Sequence, residues 1–137
     1  GLRADEPAGP LVLAATDPAN PFGASLPWPQ RDDDSGRRPG RVAGAYVVTI
    51  DADPALYLER GGRGVISLRD DPLDAAGEPA AWVREALEAL ADHVHRGRLK
   101  RLALERFDGE PVIGSPYGAM LIELGFRQSP RKLTLTA

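Results

Sequence analysis

The chain has 137 residues, a length typical of one domain, and its 17 basic and 20 acidic side chains leave a formal net charge of −3. That balance excludes the overall basic character of many nucleic-acid-binding domains, although a local basic patch is compatible with it. The absence of cysteine excludes disulfides, thiolate zinc sites and cysteine nucleophiles. The run VAGAYVVTI at 42–50 is far shorter than the roughly 20 residues of a membrane helix, so we expect no membrane contact and a cytoplasmic location.

The first third of the chain combines a strand with a proline-rich loop. GPLVLAATDP at 9–18 is a short apolar run closed by Asp-Pro, which predicts a strand entering a turn. The following loop contains several prolines together with Phe22, Leu26 and Trp28. Proline excludes helix and central strand, while the large apolar side chains need burial. We therefore expect an ordered flap docked on this module or on a neighbouring domain. Residues 31–41 contain no apolar side chain and are expected to form a mobile connector.

Residues 42–71 predict a meander of three strands. Tyr46, Val48 and Ile50 share one face at period two, and Ala45 and Val47 share the other, as in a strand covered on both sides. The pair Gly61-Gly62 predicts a two-residue type I′ hairpin turn, which requires positive φ at both positions.

The second half of the chain alternates helices and strands. A helix is predicted over 79–96, with an apolar stripe that places Trp82 in the core: Trp82, Val83, Ala86, Leu87, Leu90, Val94. A strand around Leu102 and Leu104, a short helix between Ser115 and Gly125, and a final strand follow. The fold class is therefore α+β, a small β-barrel-like or strongly curved mixed sheet with two helices in the order β-loop-βββ-α-β-α-β.

Motifs for catalysis are missing from the sequence. It contains no G-x-x-x-x-G-K-[ST] phosphate loop and no G-x-S-x-G nucleophile elbow. The two histidines, His93 and His95, are spaced i, i+2 on a helix and point about 200° apart, so they cannot bind one metal together. We expect neither a cofactor nor a metal within this segment.

Two groups of polar residues are candidates for binding. Asp17 and Asn20, in TDPANP, either cap the backbone of their own loop or face a ligand, and Asp17 is the candidate catalytic carboxylate. Arg60 and Arg63 flank the Gly-Gly turn, and Arg101 begins a strand. These arginines and Asn20 are candidate nucleic-acid contacts, because phosphate binding needs only a local basic face; the alternative is simply solvated charge.

Four segments together resemble one known family: LAATDPANPFGASLPWP, PGRVAGAYVVTIDADPALYLERGGRGV, LERFDGEPVIGSP and LGFRQSPRKLTL. In this order they are similar to the extreme carboxy-terminal segment of the large helicase-related (Lhr) family of bacterial superfamily 2 DNA helicases. The resemblance covers essentially the whole chain, although no single motif is diagnostic. It implies that residues 1–137 form the single, last, β-barrel-like module of a longer protein.

The resemblance implies further properties of that longer protein. It would be an ATP-dependent 3′-to-5′ helicase of DNA repair, with ATP and Mg bound by motor domains outside this segment. Its carboxy-terminal half would resemble AlkZ-type DNA glycosylases, with winged-helix domains preceding this module. Implied partners are those winged helices, single-stranded DNA or a DNA–RNA hybrid, and a second copy of the protein, in the cytoplasm and at the nucleoid. The glutamine-x-glutamine signature of AlkZ-type enzymes is absent here, since the only glutamines are Gln30 and Gln128.

Three hypotheses follow. The segment is an accessory DNA-engaging and domain-docking module of a repair helicase; or it contributes a carboxylate to a uracil-DNA glycosylase unit formed with the winged helices; or it is a purely structural or oligomerisation module. Because the motor motifs and the glutamine pair are absent, the segment alone is not expected to be catalytic.

Overall fold

A computed structural model describes residues 9–29 and 38–137. The described residues form two helices and nine strands, in this order: β1 Pro10–Ala14, β2 Tyr46–Ile50, β3 Asp53–Leu58, β4 Gly64–Ser67, α1 Ala81–His95, β5 Arg101–Leu104, β6 Arg106–Phe107, β7 Glu110–Pro111, α2 Pro116–Glu123, β8 Arg127–Gln128 and β9 Leu133–Thr136. Of the predicted connector, residues 31–37 lie outside the described residues.

The strands form two sheets. One has six strands in the order β1-β2-β3-β4-β6-β7, and the other has three in the order β5-β9-β8. The larger sheet is mixed, because β4 and β6 are parallel while its other pairs are antiparallel. A register shift between Val48 and Thr49 marks a β-bulge, which bends a strand and increases its twist. The α+β class with a curved mixed sheet is confirmed, and neither of these sheets closes into a barrel.

The meander is tightened by turns that need positive φ. Ile50 pairs with Asp53, and the two residues between them, Asp51 and Ala52, have φ of 51° and 70°. Phe107 pairs with Glu110 across Asp108 and Gly109, which have φ of 52° and 83°. Two-residue loops with positive φ at both positions are typical of the type I′ hairpin, whose twist matches that of the flanking strands.

Strand β2 is covered on both faces, as its sequence predicts. Val48 and Ile50 lie in the main core, with α1, α2 and the three-stranded sheet. Ala45 and Val47 lie in a second cluster on the opposite face, with Tyr57, Ile66 and Leu68. The six-stranded sheet therefore has apolar material on each side, and the second face needs its own cover.

Both helices begin and end near the predicted residues. The Ser115 hydroxyl accepts a hydrogen bond from the Gly118 N–H at 3.2 Å, Pro116 occupies the first turn of α2, and Gly125 follows the helix with φ of 105°. Helix α1 is followed by Gly97 at φ 77°. Its buried stripe is the predicted one with Ala91 added, except that Trp82 is only partly buried and packs at the edge of the core. The assignment of Trp82 to the core interior was therefore wrong.

The predicted strand around Leu102 and Leu104 is divided between the two sheets. β5 pairs with β9 in the smaller sheet, and only two residues later β6 pairs with β4 in the larger one. Glu105 is the residue between them, and its N–H donates to the Arg63 carbonyl at 2.7 Å. The chain therefore changes sheets directly beside the β3–β4 hairpin.

Candidate nucleic-acid interface

The β3–β4 hairpin presents Arg60 and Arg63 to solvent. The Gly62 N–H donates to the Glu59 carbonyl at 2.8 Å, and the Glu59 N–H donates to the Gly64 carbonyl at 2.9 Å. Arg60 and Gly61 are thus the central residues of the turn, and Gly61 has φ of 89°. The predicted positive φ at both glycines is confirmed, since Gly62 has φ of 72°. The turn, however, closes between Glu59 and Gly62, so the predicted two-residue type I′ turn at Gly61-Gly62 was wrong. The loop is two residues longer, which leaves both arginines outside the strand pairing.

A third arginine joins these two from a distant part of the chain. The Arg63 carbonyl accepts from the N–H groups of both Glu105 and Arg106, at 2.7 and 3.1 Å. Arg106 also lies opposite Gly64 in the parallel β4–β6 pair. The result is a surface cleft of about 290 Å³, called here the arginine cleft, lined by Glu59, Arg60, Arg63, Gly64, Glu105 and Arg106.

Charge in the arginine cleft is mixed but basic on balance. Arg63 Nε lies 3.8 Å from Glu105 Oε2, with 79% of the Arg63 side chain and 33% of the Glu105 side chain exposed. Such solvated ion pairs are weak, so Arg63 can leave Glu105 and bind another anion. Among the ion pairs of the described chain, none involves Arg60 or Arg106. These two guanidiniums are available to an anion from solution.

Arg101, the remaining candidate arginine, lies in the smaller sheet. It begins β5, pairs with Thr136 and is exposed. The neighbouring Leu102 reaches the hairpin, since a Cβ added at Gly62 would lie 3.6 Å from Leu102 Cδ2. Arg101 is not one of the residues that line the arginine cleft.

Asn20 is engaged by its own loop. Its side chain is 1% exposed. The amide nitrogen donates to the carbonyls of Ala15 at 2.8 Å and Phe22 at 3.3 Å, and the amide oxygen accepts from the Phe22 N–H at 3.0 Å. These bonds give Asn20 a structural part in holding the loop, and they place its amide away from the surface.

Asp17 also serves the loop backbone. Its Oδ1 accepts from the Ala19 N–H at 2.8 Å, the Asx-turn pattern that favours Asp at turns. The Arg41 guanidinium reaches the same loop, where it donates to the carbonyls of Asn20 at 2.6 Å, Phe22 at 3.2 Å and Asp17 at 3.1 Å. Arg41, the last residue of the predicted connector, is therefore fixed to the loop.

The aromatic side chains of the loop cover the second face of the larger sheet. Phe22 stacks on Trp28 at 6.0 Å, and Trp28 meets the edge of Tyr57 at 5.4 Å. Tyr57 is buried, which raises the pKa of its hydroxyl, and that hydroxyl donates to the Gly40 carbonyl at 2.7 Å. The predicted flap is thus docked on this module, where it covers the cluster that contains Val47.

Sequence reasoning missed two important arginines, Arg106 and Arg41. Arg106 reaches the cleft only because β4 and β6 pair in parallel, a non-local contact that no spacing in the sequence indicates. Arg41 lies in a stretch whose composition is that of a solvated connector. Its only sequence signal is the change from polar to apolar residues immediately after it.

Other kinds of site are not indicated by the described residues. They contain no cluster of three His, Asp or Glu side chains arranged for a metal ion. Nor does either helix have the length and apolar character that crossing a membrane requires.

The α+β fold and the arginine cleft together describe a small module with a local basic surface, and comparison with known proteins identifies its relatives. No family model matches the chain. It is 41% identical over 132 residues to a protein of Mycolicibacterium smegmatis named "Lhr helicase/probable uracil glycosylase" and 32% identical over 124 residues to the "Lhr helicase/uracil glycosylase" of Escherichia coli K12. The matches cover 91% and 90% of this chain but only 8% of each relative. The chain belongs to the Lhr family, in which it corresponds to one module of a much longer protein.

Proposed function

We propose that this chain is an accessory DNA-engaging and domain-docking module at the carboxy terminus of an ATP-dependent 3′-to-5′ DNA helicase that acts in DNA repair. The names of the two relatives support the helicase assignment. The observation that carries the proposal is the arginine cleft, where Arg60, Arg63 and Arg106 surround one open space. Guanidiniums bind phosphate oxygens through paired N–H groups, and phosphate contacts supply most sequence-independent affinity for nucleic acids.

The partners follow from this role. The module would bind single-stranded DNA or a DNA–RNA hybrid, and it would pack against preceding winged-helix domains of the same chain. Arg101 is proposed as a further contact on the neighbouring sheet. The motor domains of the longer protein would bind ATP and Mg, and the protein would work at the nucleoid in the cytoplasm. Two copies of the protein would associate, which a mass measurement in solution tests.

The test is a salt titration of DNA affinity for the longer helicase chain that carries this module. Replacing Arg60 and Arg63 with Gln is expected to weaken binding of an oligothymidine strand. It should also reduce the slope of log affinity against log salt by up to about 1.4, since each phosphate contact on a single strand contributes roughly 0.7. Thermal stability should change little, because exposed charges contribute little to folding.

The matched control replaces Arg131 and Lys132 with Gln. These are two exposed cations in the turn between β8 and β9, so the same charge is removed from another hairpin. Equal effects of the two double variants would mean that only total charge matters. An unchanged slope for the Arg60 and Arg63 variant would remove this cleft from the DNA-binding surface.

A second candidate function is suggested by the word glycosylase in both relatives' names. Here the module would complete a uracil-DNA glycosylase unit with the winged helices, and Asp17 would be its catalytic carboxylate. Asp17→Asn retains the oxygen that caps Ala19 while removing the charge, so it separates the two roles. Loss of uracil release with an unchanged melting temperature would support the glycosylase role, whereas unaltered release would leave Asp17 as a turn residue.

A further inference from the structure

The arginine cleft contains its own counter-ions. Three guanidiniums face two carboxylates, those of Glu59 and Glu105, which leaves a net charge of +1. One phosphodiester carries a charge of −1, so a single phosphate group neutralises the cleft. A second phosphate would meet two carboxylates with no remaining excess of positive charge.

The size of the cleft agrees with a single bound group. A space of about 290 Å³ lies just below the range of roughly 300–1,000 Å³ for small-molecule sites, so it suits one small group such as a phosphate. A rigid duplex presents its phosphates on a broad convex surface, whereas a single strand can bend one phosphate into a recess.

Backbone contacts hold the charged residues in place before a ligand arrives. Both the β4–β6 pairing and the two hydrogen bonds to the Arg63 carbonyl keep Arg63, Glu105 and Arg106 together. Gly64 forms the floor, where an added Cβ would overlap the Glu59 carboxylate. On the other side the Arg60 chain lies across Gly44, where an added Cβ would come within 3.0 Å of Arg60 Cγ.

We propose that the arginine cleft binds one phosphodiester of a single nucleic-acid strand, and that Glu105 competes with this phosphate for Arg63. The inference rests on the proposed DNA-binding function and adds to it a single phosphate as the ligand and a role for Glu105. Arg106 supplies a phosphate contact from β6. Glu105 lies 3.8 Å from Arg63, close enough to attract its guanidinium and, since Arg63 is 79% exposed, weakly enough to release it.

The experiment uses the longer helicase chain and a single-stranded oligothymidine as the probe, titrated with salt. Glu105→Gln removes the competing charge, so we expect tighter binding at low salt and a salt slope that is unchanged or steeper. Arg106→Gln removes one of the three guanidiniums around the phosphate, so we expect weaker binding and a slope reduced by up to about 0.7, the contribution of one phosphate contact. The two variants should therefore move the affinity in opposite directions.

Two controls match these changes. Glu88→Gln alters an exposed carboxylate that lies 3.4 Å from Arg84 on α1, a similar surface pair outside the cleft, and should leave the affinity unchanged. Arg131→Gln removes an exposed arginine elsewhere. If Arg106→Gln lowers the melting temperature, Arg106→Lys keeps the charge without the paired N–H groups and is expected to bind with intermediate affinity.

Each outcome has a defined meaning. Weaker binding by Glu105→Gln would overturn the competition, because Glu105 would then support the site. Unchanged affinity for both Glu105→Gln and Arg106→Gln, with a reduced slope for the Arg60 and Arg63 variant, would overturn this inference and leave the proposed function standing. Unchanged affinity and slope in all of these variants would overturn both this inference and the proposed function. If Glu88→Gln and Glu105→Gln raised the DNA affinity equally, the change in total charge would explain the result and the competition at Arg63 would be overturned.

Discussion

At the scale of single residues, the polar side chains of the loop act on the backbone of this module. Asn20 occupies a buried position, where its amide donates to the carbonyls of Ala15 and Phe22 and accepts from the Phe22 N–H. Buried amide groups are retained where the backbone needs them, because an unsatisfied polar group costs more than a hydrogen bond returns. Arg41 likewise donates hydrogen bonds to loop carbonyls, those of Asn20 and Asp17.

Asn20→Ala is expected to destabilise the fold by about 1–3 kcal/mol, the usual cost of a buried polar group left unsatisfied. The free energy of unfolding from urea titration provides the measurement. Gln128→Ala, which truncates an exposed amide on β8, is the control and should change it little. A loss as small as that of the control would show that water replaces the Asn20 amide.

His93 gives the fold a pH dependence of defined sign. Burial, followed by the nearby Arg98, lowers the pKa of His93, with a smaller opposing effect of Asp92. The unfolded chain therefore takes up the proton first as the pH falls through about 6.5, and stability decreases until the pH passes the lower folded-state value.

We expect the melting temperature to fall between pH 7.5 and pH 5.5, and His93→Gln to reduce that fall because the titrating group is gone. The substitution also removes the edge contact with Tyr46, so the comparison is between slopes rather than absolute temperatures. His95→Gln, at an exposed position on the same helix, is the control. Equal slopes for His93→Gln and the unmodified chain would contradict the assignment.

At the scale of elements, α1 stabilises the molecule through its stripe of aliphatic side chains. Leu87 and Leu90 are each 1% exposed, whereas Trp82 is only partly buried and lies beneath the Arg69 guanidinium, 5.6 Å from the ring centroid. Val83, the next residue in the same turn, is fully buried, so Trp82 lies at one side of the apolar stripe rather than at its centre. Size alone therefore does not place Trp82 in the interior.

Leu87→Ala is expected to cost about 2–5 kcal/mol, because it leaves a cavity in a closed core. Trp82→Ala should cost less than Leu87→Ala, since the ring is already in contact with solvent and with Arg69. Urea titration of each single variant gives its loss in the free energy of unfolding, and the two values are compared. A larger loss of unfolding free energy for Trp82→Ala than for Leu87→Ala would show that Trp82 belongs to the core interior.

At the scale of the whole molecule, the two sheets meet where the chain crosses from β5 to β6, and the arginine cleft lies at that junction. Its formation depends on the packing of both sheets, although its ligand would contact only side chains on the surface. Binding and folding can therefore be separated by substitutions at exposed charges.

The 137-residue segment by itself is expected to hydrolyse no ATP and to release no uracil from DNA. The sequence contains no phosphate-binding loop, and it has no pair of glutamines at the spacing of AlkZ-type enzymes. Phosphate release and uracil release by the purified segment, compared with buffer, are the measurements. Turnover above that background would contradict this expectation and place a catalytic group among these residues.

The sequence by itself determined those features that have local causes. Alternation at period two predicted the two covered faces of β2, and Ser115, Pro116 and Gly125 predicted the limits of α2, because caps and strand faces depend on neighbouring residues. The tertiary structure alone decided which distant side chains meet. Arg106 joins Arg63 through a parallel strand pair, and Asn20 turns inward because backbone groups of its loop are buried with it. Such contacts depend on how separate elements pack, and no local preference of the chain encodes that packing.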